Sequence, residues 1–334
     1  MTRSAARIRP IEAHGDLHGF SLVEILLALA ISLLLVAGSV TLLAKARNLQ
    51  RAADTHARMQ ETARHALSVI EADLRMAGYW GPAHRPDRMT TNPALTFPDR
   101  CGGISWVTSI AQAVDGTNNR YLSVSNCAAS AGGAVAGADV LVIRRASARQ
   151  LSLATTTVPA TARDRVLVVS SLAAGQLFVP RTLGNQVPAG FDVSSVASEP
   201  PPAEVRSLVV HAYYVSVDSG AGRNFPALRR KVLISGPGVS DEEIAAGVED
   251  LQFRIGLDVD RDARVDTYAE PGPLPIGAVP VTVQVWLRLR SQERDRTRGS
   301  SPAVIYADRA WPATTDGYHR IHVTKTIHLR NTDD

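Results

Sequence analysis

The feature that most constrains this chain is an apolar run from Phe20 to Leu43, which contains 24 residues and one charged side chain, Glu24. Because an α-helix rises about 1.5 Å per residue, a run of this length spans the hydrocarbon core of a bilayer, about 30 Å. A carboxylate one turn inside such a helix costs a few kcal/mol unless a partner neutralises it. Glu24 therefore needs a partner, and the nature of that partner bears on function.

Three interpretations of the run are open from the residues alone. A secretory signal peptide has an apolar region of about 7–15 residues before a small-residue cleavage site, which residues 44–46 could supply, but this run is longer and carries a carboxylate. An ordinary membrane anchor explains the length and leaves Glu24 without a partner. Cleavage after Gly19 would create a cationic amine at Phe20, one turn from Glu24 of its own helix and available to Glu24 of a neighbouring helix.

One stretch resembles the class III leader junction of type IV pilins and type II secretion pseudopilins: Gly19-Phe20-Ser21-Leu22-Val23-Glu24. The resemblance implies that a prepilin peptidase cuts after Gly19, that the new amine of Phe20 is N-methylated, and that Glu24 registers the subunit in a filament. Residues 1–19 would then be a cytoplasmic leader peptide. The mature chain would cross the inner membrane once, in contact with its lipid, and place its C-terminal domain in the periplasm.

The helix is predicted to continue beyond the apolar run and to end near Gly78. No Pro or Gly interrupts residues 39–77, whereas Gly78, Gly81 and Pro82 follow directly. Mostly apolar residues recur there at three- and four-residue steps: Leu49, Ala53, His56, Gln60, Ala63, Leu67, Ile70, Leu74 and Ala77. The sequence therefore predicts one helix over residues 20–77, whose second half buries an amphipathic stripe against the following domain.

Alternation of apolar and polar residues predicts β-strands from Asp139 onwards. The clearest strands cover residues 251–258 and 281–290, and shorter apolar runs lie at 140–143, 166–170, 177–179, 205–217 and 321–329. Half-polar strands are typical of an antiparallel sheet with one face covered, and the amphipathic half of the helix is the covering element. The expected fold class is α+β: a long N-terminal helix packed on an antiparallel sheet within a β-rich domain, residues 78–334, as in pilins.

Four further stretches resemble the PilW-type minor pilins of type IV pili, and they are scattered over the chain: residues 73–81, 137–141, 248–253 and 328–331. The resemblance implies a minor pilin that joins other minor pilins and the major pilin in a priming or tip complex. The J-type pseudopilin of type II secretion is the closest alternative, because it shares the helix and the strand at 248–253. The sequence features above do not distinguish a pilus protein from a secretion protein.

The chain contains two cysteines, Cys101 and Cys127. They lie in residues 83–138, a segment rich in Pro, Gly, Asn, Ala and Ser that we expect to be irregular, with one or two short strands such as residues 121–125. Two cysteines in one exported domain usually pair. A periplasmic domain therefore predicts a disulfide between Cys101 and Cys127.

An acidic segment places carboxylates at positions 1, 3, 5 and 9 of a loop: Asp258, Asp260, Asp262 and Asp266. This spacing resembles the loops that wrap Ca²⁺ in EF-hand proteins. Against such a site, position 6, usually Gly, is Ala263, and position 12, usually Glu, is Ala269. Arg261 and Arg264 could also neutralise the carboxylates. A weak Ca²⁺ site and a charge-balanced turn are both open.

No catalytic motif is present in the sequence: there is no Gly-x-Ser-x-Gly, no phosphate loop, no His-Glu-x-x-His and no Cys/His cluster. His322 and His328 share a face of the last predicted strand, which we interpret as solvated. Residues 288–298 are basic, but they lack interleaved aromatic residues, so nucleic acid is not an expected partner. The alternative from another class is a membrane-anchored periplasmic enzyme or binding protein that shares only the helix.

Overall fold

The computed structural model describes residues 21–83, 86–95, 97, 100–101, 104–123, 127–193, 201–236, 238–295 and 299–332. The predicted leader, Gly19 and Phe20 lie outside the described residues, as do positions 124–125 of the predicted strand at 121–125. The chain forms two compact units, one ending at Asp54 and the other spanning Thr55–Asp334.

Helix α1 (Leu22–Met76, 55 residues) confirms the predicted long helix. Residues 21–51 are all exposed in the isolated chain, and a stretch of α1 with a mean hydropathy of 2.6 is long and apolar enough to cross a membrane. Leu22, Leu34 and Leu42 are each more than two-thirds exposed. An apolar surface this continuous is stable only when lipid or another helix covers it.

The second half of α1 buries one face, formed by residues spaced three or four apart: Met59, Ala63, Ala66, Leu67, Ile70, Asp73 and Leu74. This face confirms the predicted amphipathic stripe, and it adds a carboxylate that the apolar pattern did not include. The stripe packs in the largest apolar cluster of the structure, together with residues of both main sheets, such as Leu141 and Val285. Burial of this stripe is what holds the helix to the β-domain.

Helix α1 ends where Gly78 adopts the left-handed conformation, with φ of +77°. A Cβ atom at this position would also lie only 2.7 Å from the carbonyl oxygen of Asn331, so glycine is required for two reasons. The side-chain amide of Asn331 donates to the carbonyl oxygens of Arg75 and Ala77, each at 3.3 Å. The end of the chain thus caps the end of the helix.

Sixteen strands follow within the described residues: β1 (Met89–Thr91), β2 (Arg100–Cys101), β3 (Ile104–Ser105), β4 (Val114–Thr117), β5 (Val140–Gln150), β6 (Leu167–Ser170), β7 (Gly175–Phe178), β8 (Glu204–Ser216), β9 (Ala227–Ile234), β10 (Gly238–Ala246), β11 (Val248–Asp258), β12 (Thr267–Ala269), β13 (Val279–Arg294), β14 (Val304–Tyr306), β15 (Arg309–Trp311) and β16 (Tyr318–His328). Short 3-10 helices lie at Pro86–Arg88, Ala160–Ala162 and Pro180–Leu183.

The first sheet contains eight of these strands, in the order β1-β7-β6-β8-β5-β4, with β9 added to β8 and β10 added to β9. Strand β8 is long enough to carry two neighbours on one edge. Its residues 204–207 pair with β6 and its residues 211–216 pair with β9, while β5 takes the opposite edge. All pairings in this sheet are antiparallel except that of β1 with β7.

The second sheet is antiparallel, in the order β12-β11-β13-β16. Its long strands confirm the two clearest alternations of the sequence and the last predicted strand, with Phe253 opposite Val285 and Val285 opposite Lys325. One prediction for this sheet is wrong. Gln252 and Arg288, expected on a solvated face, are 0% and 2% exposed. Gln252 contacts the loop before β5, where it donates to the Gly137 carbonyl oxygen, and Arg288 contacts the β14–β15 hairpin. Arg288 lies against the Trp311 ring, with its guanidinium carbon 3.8 Å from the ring centroid.

Three local predictions also need correction. Residues 121–123 are not a strand, and the segment at 83–138, expected to be irregular, contains the four short strands β1–β4.

The sequence did not predict β9 and β10, because their charged runs do not alternate with apolar residues. Facing residues of these strands form ion pairs, Lys231 with Asp241 at 2.6 Å and Arg230 with Glu242 at 2.9 Å. Such pairs between facing residues stabilise strands that show little apolar periodicity.

Candidate functional site

Glu24 lies in the first turn of α1 and is exposed. The helix begins at Leu22, and the backbone amide of Val23 donates to the hydroxyl of Ser21 at 3.3 Å. Ala28 and Ser32 follow Glu24 at four-residue steps, so a carboxylate and two small side chains share one face of the helix. Small residues allow a second helix to approach closely. The carboxylate is thus accessible to a group on a neighbouring helix.

A second group of charged residues surrounds Asp73, which is 4% exposed. Its Oδ2 atom lies 2.5 Å from His211 Nδ1 and accepts a hydrogen bond of 2.5 Å from the Tyr213 hydroxyl. Its Oδ1 atom accepts from Arg145 at 3.1 Å, and Arg230 Nη1 lies 3.6 Å from Oδ2. These partners come from β5, β8 and β9, so one carboxylate of the helix binds three strands of the first sheet.

Two opposing effects set the pKa of Asp73. Burial raises the pKa, while the hydrogen bonds from His211 and Tyr213 and the charge of Arg145 lower it, and the resulting pKa is about 2. His211 and Tyr213 are 8% and 0% exposed, so a substrate in solution cannot reach this acid and histidine pair. The group holds the helix in place. Sequence reasoning missed it, although the signal was present as an acidic residue in phase with the apolar stripe.

Asp139 joins the two main sheets. Its backbone amide donates to the Leu251 carbonyl oxygen at 2.9 Å, and its carboxylate accepts from the backbone amides of Asn119 at 2.8 Å and Phe253 at 2.9 Å. Nearby, the side chain of Gln252 donates to the Gly137 carbonyl oxygen at 2.8 Å. Burial raises the pKa of Asp139 to about 7 despite its two backbone donors. The start of β5 is therefore bound to the middle of β11.

The stretches that resemble PilW-type pilins thus meet in space as two joints. Residues 73–81 contact residues 328–331 through the Asn331 cap, and residues 137–141 contact residues 248–253 through Asp139. Both joints connect elements that are distant in sequence. These stretches form the framework that fixes helix and sheets together.

The disulfide predicted between Cys101 and Cys127 is present, with a Cα–Cα distance of 5.4 Å. Both cysteines are fully buried in an apolar cluster that includes Trp80 and Trp106. The hydroxyl of Tyr121 donates to the Cys127 carbonyl oxygen. The bridge therefore joins an otherwise weakly paired segment to the core of the first sheet.

The acidic loop connects β11 and β12. Asp258, Asp260 and Asp262 each bring a carboxylate oxygen within 4.8 Å of the others, a grouping that could hold a metal ion. Asp258 is 3% exposed, and its two oxygens accept from the backbone amides of Arg261 at 2.6 Å and Ala263 at 2.7 Å. The loop thus turns back on its first carboxylate, which keeps further lone pairs for a cation.

The fourth carboxylate of the loop, Asp266, is outside this group of three. Its Oδ2 atom accepts from the backbone amides of Val259 at 2.7 Å and Asp260 at 3.4 Å. The charges of Asp266 and Asp262 raise the pKa of Asp260. Arg264 lies 4.0 Å from Asp262 with its side chain 85% exposed, so this arginine neutralises the loop weakly. The carboxylates therefore still repel one another.

Comparison with known proteins connects this architecture to pili. Residues 212–331 match the family model described as Type IV Pilus-assembly protein W. Pilin-like protein PilA3 of Thermus thermophilus is 36% identical over 82 residues, which is 24% of this chain and 33% of that protein. The chain thus matches about a third of the length of this relative. No solved structure matches the chain. The matched family region begins within β8 and contains the whole second sheet, the acidic loop and the β14–β15 hairpin.

Proposed function

We propose that this chain, whose residues 212–331 match the family model described as Type IV Pilus-assembly protein W, is a minor pilin that primes or caps a type IV pilus. One observation carries the proposal: a domain of this family is attached to a helix with an apolar, exposed first half and one accessible carboxylate, Glu24. A membrane-anchored enzyme needs the apolar helix but no carboxylate within it. A subunit that assembles through helix packing uses both the apolar helix and the carboxylate.

The proposed mechanism is physical. The apolar half of α1 holds the precursor in the inner membrane, with the β-domain in the periplasm. After a prepilin peptidase cuts behind Gly19, the amine of Phe20 becomes available as a cation, and N-methylation would leave it cationic. Glu24 of an incoming subunit then pairs with the terminal amine of its neighbour, because an unpaired carboxylate is costly in hydrocarbon. Other minor pilins and the major pilin are the partners that present such an amine.

The size of the β-domain supports a priming or tip position over that of the main repeating subunit. The unit that follows the membrane half of the helix spans Thr55–Asp334. A dense helical shaft repeats its subunit at short intervals, so a domain of this bulk packs more readily at an end. A J-type pseudopilin of type II secretion would use the same helix, and the identity of the partner pilins distinguishes the two systems.

Replacement of Glu24 tests the assembly role. In Glu24→Ala, membrane insertion should be unchanged or improved, because an intramembrane charge is removed. Co-purification with other pilins from detergent-solubilised membranes should fall about tenfold or more, since the docking partner of the terminal amine is lost. Glu61→Ala, a change at an exposed glutamate on the second half of the same helix, is the matched control and should co-purify normally. Wild-type recovery of partner pilins with Glu24→Ala would contradict the proposal.

Processing provides an independent test. The mature protein should begin at Phe20, and Gly19→Leu should leave a larger membrane species, because a bulky side chain obstructs the peptidase. N-terminal sequencing of wild type and variant measures this directly. A mature terminus after Ala46 would indicate a secreted protein and would overturn the pilin interpretation.

A further inference from the structure

The β14–β15 hairpin lies between two long strands of the second sheet in sequence, yet it contributes nothing to the apolar core. Its three facing pairs are Val304 with Trp311, Ile305 with Ala310, and Tyr306 with Arg309. All residues from 304 to 311 lie in the described part of the chain, and none is buried; Ile305 is 77% exposed. None of them belongs to the three apolar clusters of the described residues. Polar contacts therefore hold the hairpin.

Those polar contacts converge on one carboxylate, Asp250 of β11, which is 0% exposed. It accepts hydrogen bonds from the Tyr306 hydroxyl at 2.6 Å, from Arg309 Nη1 at 2.5 Å and from Trp311 Nε1 at 3.3 Å. Three side chains of an eight-residue hairpin thus share a single acceptor group. Loss of that acceptor would release all three together.

The hairpin also reaches the first sheet. The Asp308 carboxylate accepts from the side-chain amides of Asn118 and Asn119, both at 2.8 Å, and Arg309 Nη2 donates to the Ala136 carbonyl oxygen at 2.9 Å. These residues belong to the loops that follow β4 and precede β5. The hairpin therefore lies across the junction of the two sheets.

Arg288 lies beneath the hairpin with an unmet hydrogen-bonding group. It is 2% exposed, its guanidinium stacks on the Trp311 ring at 3.8 Å, and its Nε lies 3.0 Å from Glu249. Its Nη1 makes no hydrogen bond with any residue that the structure describes. A buried donor without an acceptor destabilises the closed arrangement, and water would satisfy this donor once the hairpin lifted.

We propose that the β14–β15 hairpin is a releasable strap, latched by Asp250, which opens locally while both sheets stay folded. Opening removes no apolar side chain from the core, so the hydrophobic cost that normally keeps a hairpin in place is small. It hydrates Arg288 and exposes the carboxylate of Asp250, which then lacks its Arg309 partner. The strap does not depend on the proposed pilin function.

Native-state hydrogen exchange on the full chain in detergent micelles tests the strap, with low concentrations of denaturant added. In wild type, the hairpin amides should exchange through a local opening that is insensitive to denaturant, whereas β13 amides should exchange with the denaturant dependence of global unfolding. In Asp250→Asn, hairpin protection should fall about tenfold or more and stay insensitive to denaturant, while β13 protection should fall by no more than the same factor and keep its denaturant dependence. Exchange of hairpin and β13 amides together, at the same rate and denaturant dependence, would overturn the proposal.

Asp316→Asn is the matched control, since Asp316 pairs with Arg320 at 2.6 Å outside the hairpin. It should leave hairpin protection at the wild-type level. Arg309→Gln is the second variant, in case Asp250→Asn fails to fold, because Arg309 is part-exposed and lies outside the core. Hairpin protection in Arg309→Gln should fall about threefold or more. Wild-type hairpin protection in Arg309→Gln, or an equal loss in Asp316→Asn, would count against a latch at Asp250.

Discussion

Single buried charges decide how the elements of this protein are held in place. Arg144 is 0% exposed, and its guanidinium donates to the carbonyl oxygens of Trp106 and Gln112, each at 2.7 Å. Asp73 is buried among His211, Tyr213 and Arg145. Desolvation of a charge costs several kcal/mol, so such groups persist only where partners are already in position.

Asp73→Asn tests this at the helix. Because the folded-state pKa of Asp73 is about 2, below its ordinary value of 3.8, its stabilising contribution is complete above about pH 4 and is lost as the pH falls towards 2. At pH 7 the variant should be less stable by about 2 kcal/mol. Denaturant unfolding of the full chain in micelles, compared at pH 7 and pH 2.5, measures the difference.

The difference in unfolding free energy between wild type and Asp73→Asn should shrink at pH 2.5, because the wild-type carboxylate is then protonated in the unfolded state while it stays largely ionised in the folded state, so proton uptake favours unfolding. Asp54→Asn replaces an exposed carboxylate of the same helix and should leave stability unchanged at both pH values. If the difference in unfolding free energy between Asp73→Asn and wild type stays constant with pH, packing and not charge accounts for the loss of stability.

At the scale of elements, the acidic loop between β11 and β12 adopts a backbone conformation that favours glycine at two positions, and neither position is glycine. Arg261 and Ala263 both adopt the left-handed conformation, with φ of 67° and 65°. The amides of these two residues are thereby directed at the Asp258 carboxylate. L-residues pay about 1 kcal/mol for this conformation. A bound cation that neutralises the remaining carboxylates would offset that cost.

We propose that this loop binds Ca²⁺ weakly, with a dissociation constant of about 10⁻⁴–10⁻³ M, as in extracellular modules. About 10 mM Ca²⁺ should then raise the melting temperature of the full chain in micelles by about 2–4 °C, because only the folded loop brings the ligands together. Asp260→Ala should abolish the shift and leave the fold intact without calcium. Glu293→Ala, an exposed change elsewhere, should retain the shift.

The opposite pattern identifies a charge-balanced turn. In that case Arg261 and Arg264 already neutralise the loop, calcium leaves the wild-type melting temperature unchanged, and Asp260→Ala lowers it at every calcium concentration. A calcium titration of both proteins by thermal unfolding separates the two outcomes.

At the scale of the whole molecule, the Thr55–Asp334 unit is held by long-range joints more than by local order. One apolar cluster contains the stripe of α1 and residues from both main sheets, and a second surrounds the disulfide. In the described residues of the segment that carries Cys101, the strands up to Thr117 are two to four residues long. A covalent link across such a segment restricts the unfolded chain more than any of its short strands stabilises the folded one.

Removal of the disulfide should therefore weaken the whole unit. The double variant Cys101→Ser/Cys127→Ser should lose about 3 kcal/mol of unfolding free energy, from the chain entropy of the closed loop, and should insert into membranes normally. When wild type is denatured without reductant, neither cysteine should react with a maleimide. After reduction, both thiols should react. Labelling of both thiols without reductant would refute the bridge.

The sequence by itself determined the elements whose signal is local. The apolar run, its continuation as an amphipathic stripe and the glycines at 78 and 81 specify α1 to within a residue or two of its observed C-terminal end. The alternations at 251–258, 281–290 and 321–329 specify β11, β13 and β16. In a helix and in a half-buried strand, apolar residues recur with the period of that structure along consecutive residues. The buried face can therefore be predicted without knowing which element covers it.

Only the tertiary structure decided which polar residues are buried and which strands are paired. Asp73 and His211 are 138 residues apart, and Asp250 and Arg309 are 59 apart, so no local pattern shows that each carboxylate has its partner. Strands β9 and β10 form because their opposite charges face each other across the pair. A polar side chain can be buried only where distant groups satisfy it, and the positions of those groups are a property of the folded chain.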